Sequence, residues 1–341
     1  MNYWVTYLLV LLLGGAGMIA LLIYFHRTKT SKPFLTNIIL AVLTLFLTFM
    51  GLEFYFKLFF AEPDSIGTLA RENWRDRYTS PDTLNSLGYR DREWTDDMVR
   101  GKTKVMVVGD SFVYGDGIEN PEERFSNRLG QKLGDDYVVF NLGKGGTNTK
   151  HHINAILKYP YSPDILVLSY VINDIAGSVL ERQWINRPGS GPRVLPELPL
   201  LVNNSYAFNF FYWRLHRMMQ AGQPDARWAW YLSVYNDPDS WWIHQEQLLS
   251  IYEGAQSEQI PLFVVVFPSM DYTEESLVVT ERIIDLYEKK GVPTLDVAEL
   301  IEEIPKKDRM ASAVDAHPSE LVHSLVADAL YEMFVEEGLV K

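Results

Sequence analysis

Apolar and polar residues follow three successive patterns along the chain. From Trp4 to Phe25, and again from Phe34 to Leu52, the sequence is apolar with no polar helical face, which at these lengths argues against two buried helices of a soluble protein. The first run carries no charge. At helical rise it extends roughly 33 Å, enough to cross a bilayer core. The second continues through Glu53-Phe54-Tyr55-Phe56-Lys57-Leu58-Phe59-Phe60, where an acid and a base at i,i+4 sit among aromatics suited to a membrane interface.

Between the two runs lies the short basic loop His26-Arg27-Thr28-Lys29-Thr30-Ser31-Lys32. A cleavable signal peptide would need a basic start and a small-x-small site, and neither accompanies the first run. A transmembrane hairpin over residues 1–60 is the expected reading, anchoring the chain in the cell membrane by two spans. The positive-inside rule puts the basic loop in the cytoplasm and the remainder of the chain on the extracytoplasmic side.

Residues 61–101 are polar and rich in turn formers, among them Glu62-Pro63-Asp64 and Ser80-Pro81-Asp82, and read as a juxtamembrane linker. From 102 to 341 short β-branched runs alternate with amphipathic segments. Strands are expected at Lys104–Val108, Tyr137–Asn141, Asp164–Tyr170, Leu262–Phe267 and Pro293–Asp296. Helices are expected at Glu122–Leu133, Lys150–Tyr159, Gln245–Gln256, Glu274–Lys289 and Ser319–Glu336. In the last helix Val322, Leu325, Val326, Ala329, Leu330 and Met333 follow the spacing of a core-facing stripe, and Pro318 suits its start. Repeated β-α-β units with apolar strands imply an α/β domain, a parallel sheet covered by helices on both faces. An insertion over about 180–242 interrupts the alternation. It holds Trp184, Trp213, Trp228, Trp230, Trp241, Trp242 and the loop-like segment Arg187–Pro192. These tryptophans read either as the core of a small lobe or as a lid or sugar-stacking platform.

The net charge of -13 argues against a nucleic-acid partner, since phosphate binding needs clustered Lys and Arg. The absence of cysteine removes disulfides, thiolate chemistry and Cys-ligated zinc.

Candidate chemistry collects at the carboxyl ends of the expected strands, where open α/β sheets bind ligands. Gly109-Asp110-Ser111 follows the first strand, Asn141-Leu142-Gly143-Lys144-Gly145-Gly146-Thr147-Asn148 the second, and Asn173-Asp174 the third. Asp315 and His317 precede the last helix. Acyl transfer by serine needs a hydroxyl, a base, a group orienting the base, and donors for the oxyanion. Each has a candidate in this set.

In these blocks the chain resembles the SGNH or GDSL hydrolases, membrane-anchored bacterial type, from about Lys104 to its C-terminus with the insertion unmatched. The resemblance implies a flavodoxin-like three-layer α/β/α fold and a serine esterase needing no metal or organic cofactor. It makes Ser111 the nucleophile, His317 the general base and Asp315 the group behind it. The Ser111 and Gly146 N–H groups and the Asn173 amide would form the oxyanion hole. Asn85-Ser86-Leu87-Gly88-Tyr89-Arg90 also resembles a segment that precedes the serine block in anchored members.

Two departures stand out. Val171 occupies a position where the family has Gly, and Asp315 and His317 are two residues apart rather than three. Side chains at i and i+2 of an extended segment share a face, so contact is expected. The alternatives are a Ser111–His317 dyad or another acceptor recruited in place of Asp315. His151-His152 point to different sides of a helix and read as solvated or capping. The Gly143–Gly146 loop lacks the ending of a phosphate loop.

The expected function is therefore hydrolysis of O-acyl, chiefly O-acetyl, esters on an envelope or exported polysaccharide. Alternatives are an O-acetyltransferase acting on a glycan, a lipase-like acylhydrolase, and a non-catalytic glycan-binding or scaffold protein. Expected partners are an acylated carbohydrate or lipid substrate and the lipid bilayer.

Overall fold

A computed structural model describes residues 3–28, 33–64, 67–179, 200–220 and 226–340. Lys29–Lys32 of the basic loop, Trp184 and the segment Arg187–Pro192 lie outside the described residues. The chain divides into two units. One comprises residues 1–62, 66–75 and 194–223, the other 63–65, 76–193 and 224–341.

The main helices, in chain order, begin with α1 (Tyr3–Thr28), α2 (Pro33–Leu58) and α3 (Leu69–Tyr78). Next come α4 (Ser111–Tyr114), α5 (Phe125–Leu133) and α6 (Thr149–Lys158), then α7 (Leu200–Asn204), α8 (Tyr206–Gln220), α9 (Ala226–Tyr235) and α10 (Pro238–Ser257). Helices α11 (Thr273–Glu288) and α12 (Glu320–Glu336) close the series.

In the first unit α1 and α2 form the apolar hairpin, with Leu13 and Leu45 each more than two-thirds exposed. Two helices here are long and apolar enough to cross a membrane. The C-terminal end of α2 leaves carbonyls without intrahelical partners. Asn73 fills them: its Nδ2 donates to the carbonyls of Phe56, Lys57 and Phe60. Residues 61–101, the juxtamembrane linker expected from the sequence, contain α3 and, within it, the buried Asn73.

The second unit is built on a sheet of β1 (Thr103–Gly109), β2 (Tyr137–Gly143), β3 (Ile165–Tyr170), β4 (Leu262–Val266) and β5 (Thr294–Asp296). Its order is β2-β1-β3-β4-β5 and every pairing is parallel. The order 2-1-3-4-5 is the flavodoxin-like doubly wound topology, with its switch point between β1 and β3. Alternation along the strands splits the core in two. Met106, Val108, Leu166, Leu168, Val264 and Val266 face α9, α10 and α11. On the other face, Val105, Val107, Ile165, Val167, Phe263 and Val265 pack against α5 and α12. Burying each such side chain stabilises the sheet by about 1.5–3 kcal/mol.

Strand positions agree with the apolar runs, but the face of α12 is rotated. Val322, His323, Val326, Ala327, Leu330 and Phe334 are buried, while Leu325, Ala329 and Met333 are only partly so. His323 turns inward because its Nδ1 accepts the Phe125 N–H at 3.2 Å and its ring stacks on Phe125. Burial pulls its pKa down to about 3, so it packs as a neutral ring.

The insertion's tryptophans mostly pack. Trp213 and Trp230 are buried and Trp228 and Trp241 pack partly buried against the core, leaving Trp242 exposed among those described. A sugar-stacking platform gains no support from this arrangement.

Candidate active site

Strands β1 and β2 end level, with Gly109 opposite Gly143. Gly143 must be glycine, because a Cβ there would stand 2.1 Å from the Tyr114 nitrogen and 2.4 Å from the Val113 carbonyl carbon. That close approach lets α4 start directly beyond β1. Asp110 caps α4: its Oδ1 accepts from Phe112 N at 2.9 Å, as short polar residues do at helix starts. From behind, Asn141 Nδ2 holds the Val113 carbonyl at 2.7 Å. Ser111 is thereby fixed as the first residue of α4, its side chain at the carboxyl edge of the sheet.

His317 reaches it from the far end of the chain. Two short antiparallel strands, β6 (Met310–Ser312) and β7 (Asp315–Pro318), precede α12. In the extended β7, Asp315 and His317 share a face. Asp315 Oδ1 lies 2.5 Å from His317 Nδ1, and His317 Nε2 lies 3.0 Å from Ser111 Oγ. The structure thus brings Ser111, His317 and Asp315 into one hydrogen-bonded line despite the two-residue spacing. Asp315 is fully buried, and Phe112 packs edge-on to the imidazole.

The donors expected for an oxyanion sit on neighbouring loops. Asn173 lies in the 3-10 turn after β3, and its Nδ2 donates one hydrogen to Asp110 Oδ2 at 2.9 Å. An amide nitrogen has two hydrogens, so a second remains for a ligand. Gly146 lies in the loop after β2 with φ of 74°, a conformation that glycine adopts without strain. This loop packs on the end of β1, its Lys144 N–H donating to the Gly109 carbonyl at 3.3 Å.

Three residues outside the sequence expectation complete the electrostatics. Asp110 Oδ2 accepts from Ser111 Oγ at 3.3 Å, so the hydroxyl proton has a second acceptor when His317 is protonated. Burial raises the Asp110 carboxyl above its ordinary range against four stabilising contacts. Asp116 Oδ2 stands 3.9 Å from His317 Nε2. Burial alone would lower the His317 pKa, but the carboxylates of Asp315, Asp116 and Asp110 outweigh it and push it up to about 9. Arg90 is the third. Its guanidinium donates to the carbonyls of Tyr78, Gly115, Ile118 and Glu119, fixing the loop that carries Asp116. Arg124 in turn binds the Arg90 carbonyl at 2.6 Å. The segment Asn85–Arg90 thereby gains a physical role.

His152 corrects the expectation of a solvated or capping pair. Only His151 is exposed, bonded to Asn148 Oδ1 at 2.8 Å. His152 is buried on the inner face of α6, 3.3 Å from Thr147 Oγ1 and 3.8 Å from Asp174, and burial followed by His151 lowers its pKa to about 3.

A family model described as the GDSL-like Lipase/Acylhydrolase family matches residues 107–325, well over half of the chain. Among solved structures, the chain is similar to a member of the lipolytic protein G-D-S-L family from Veillonella parvula at 12% identity. That match covers 68% of this chain and 98% of that one, with a TM-score of 0.42. It is also similar to the lipase/acylhydrolase from Enterococcus faecalis (13% identity, 70% and 97% covered, TM-score 0.43). A third likeness is to the inhibitor-bound aryl esterase of M. smegmatis (14% identity, 69% and 99% covered, TM-score 0.38). A search of curated proteins finds no match.

Proposed function

The chain belongs to the GDSL-like lipase/acylhydrolase family and is a serine ester hydrolase, and from that premise we propose that Ser111 is its nucleophile, His317 its general base and Asp315 the residue that orients the base. The observation that carries this is the unbroken line from Asp315 Oδ1 through the imidazole to Ser111 Oγ, with legs of 2.5 and 3.0 Å. Asp315 accepts the Nδ1 proton, which leaves the Nε2 lone pair facing the hydroxyl. As Oγ attacks the ester carbonyl, its proton passes to Nε2. The carbonyl oxygen becomes an oxyanion held by the Ser111 and Gly146 N–H groups and the free Asn173 amide hydrogen. Collapse expels the alcohol, which takes the proton from His317. Water then repeats the sequence against the acyl-enzyme and releases the acid.

We further propose that the enzyme is anchored in the cell membrane by α1 and α2 with its catalytic unit on the extracytoplasmic side. Support comes from the exposed apolar surface of both helices and from the basic residues between the two apolar runs. For a membrane-held esterase facing outward, the substrate class that location favours is an O-acyl, chiefly O-acetyl, ester on an envelope or exported polysaccharide. The test is hydrolysis of an activated acetyl ester by the wild type and by Ser111→Ala. Loss of nearly all turnover in the variant is expected, and full retained activity would refute the assignment. Product analysis with an acetylated glycan then separates free acetate from acetyl transferred to a second glycan.

A further inference from the structure

The first unit carries a feature the chemistry does not use. Helices α7 and α8 present a row of large apolar side chains to the outside: Leu200, Leu201, Phe208, Phe211, Leu215 and Met218. Leu200 is 84% exposed and Met218 76%. The spacing 208, 211, 215, 218 is one stripe of a helix, not a scatter of single residues. Arg214, the charged residue beside the stripe, is drawn towards Glu62, with its guanidinium over the Phe210 ring at 4.4 Å. Soluble surfaces rarely leave so continuous an apolar patch in water.

The opposite face of α8 fixes where this stripe lies. Glu53, in the last turns of α2, is buried and accepts from Ser205 Oγ at 2.7 Å, Tyr206 N at 2.9 Å and Ala207 N at 3.1 Å. It thus caps α8 from another helix, satisfying N–H groups that α8 itself leaves open. Lys57 Nζ donates to Tyr206 Oη at 2.7 Å. Phe210 stacks on Phe56 at 4.3 Å, and at the edge of the exposed stripe Phe208 meets Phe49 of α2 at 5.2 Å. Helix α8 is therefore seated at the C-terminal end of α2, where that helix changes from uninterrupted apolar residues to an aromatic and charged mixture. In a spanning helix such a mixture marks the headgroup level.

We propose that the exposed face of α7 and α8 is a membrane-docking surface, lying along the headgroup–acyl boundary of the bilayer that α1 and α2 cross. The inference rests on the anchoring reading above. What favours lipid over a protein partner is continuity. The apolar stripe adjoins the exposed apolar surface of the hairpin, and an amphipathic helix at the exit of a span matches the chemistry of an interfacial helix.

The chain has no cysteine, so single cysteines can be introduced and labelled with an environment-sensitive fluorophore. Full-length protein is reconstituted in phosphatidylcholine–phosphatidylglycerol vesicles bearing lipids spin-labelled near the headgroup or deep in the chain, with iodide as the aqueous quencher. Labels go at L200C, L215C and M218C. L45C reports the hairpin and D135C, on an exposed turn of the second unit, reports water. Shallow spin labels should quench positions 200, 215 and 218 at least about twofold more than position 135, with weak iodide quenching. Deep spin labels should quench position 45. If position 45 is quenched by lipid while 200, 215 and 218 respond to iodide as 135 does, the docking surface is refuted and the anchor stands. Shielding of the three positions from both lipid and iodide refutes it in favour of a protein partner. If position 45 escapes lipid quenching, the anchor fails and the inference with it.

Discussion

Replacing Asp116 with Asn removes one of the carboxylates that hold the His317 proton, and its effect can be sized from the geometry. Asp116 Oδ2 and His317 Nε2 are 3.9 Å apart, with side chains 13% and 14% exposed. Two unit charges at that distance interact by about 4 kcal/mol at an effective dielectric of about 20, and by about 1 kcal/mol in water. The site is partly wet and Asp315 contributes more than Asp116, so the lower end applies. About 1.4 kcal/mol corresponds to one pK unit, which would bring His317 from about 9 to roughly 8. A base with a raised pKa is protonated, and inactive, below that value. The acid limb of kcat/KM should therefore fall about one unit lower in Asp116→Asn. At pH 7 the neutral fraction rises about tenfold and kcat/KM with it, while the alkaline plateau stays level or drops slightly because the base is weaker. The assay is hydrolysis of 1-naphthyl acetate from pH 6 to 10, corrected for spontaneous hydrolysis. An acid limb that stays in place, or moves to higher pH, would refute the electrostatic reasoning.

Asp315→Asn keeps the shape of β7 but loses the acceptor for Nδ1–H, so kcat should fall about 10³–10⁴-fold with the fold intact by circular dichroism. A drop of less than tenfold would point to a Ser111–His317 dyad. Asn173→Ala should lower kcat about 10²–10³-fold with little change in KM, because the amide acts on charge that develops only in the transition state. An equal loss shared between kcat and KM would assign it to substrate binding instead. Gly143→Ala forces a methyl against the backbone of α4. It should destabilise the catalytic unit by about 1–3 kcal/mol in urea unfolding, and an unchanged midpoint would contradict the close approach.

The sheet was legible because buried parallel strands are continuous apolar runs, such as Lys104–Val108, and the site because its residues follow the ends of those runs. The short β7 was the harder point. Asp315 and His317 two residues apart make sense only in an extended strand, which the spacing allowed but did not require. What pattern reading could not find are long-range polar contacts. Arg90 and Arg124 carry charges that composition assigns to the surface, yet both are buried on backbone carbonyls. Asp110 is the exception with a local signal: an Asp directly before Ser111 is placed to cap the helix, and capping puts its second oxygen on Asn173. Glu53 looked like one half of an i,i+4 pair with Lys57. Its partners are instead 152 to 154 residues away, at Ser205 and the first turn of α8, and nothing local in either segment encodes that meeting. The rotated face of α12 has the same origin, since His323 is drawn inward by a backbone N–H on α5.

The most direct measurement is to map the residue modified by a serine-directed fluorophosphonate. The full-length enzyme is treated at pH 9, where about half of His317 should be neutral, then digested and sequenced by mass spectrometry. The expected result is a single adduct on Ser111, lost in Ser111→Ala and strongly slowed in His317→Ala. An adduct on any other residue, or full esterase turnover by protein that Ser111 labelling should have silenced, would contradict the assignment of Ser111 as the nucleophile.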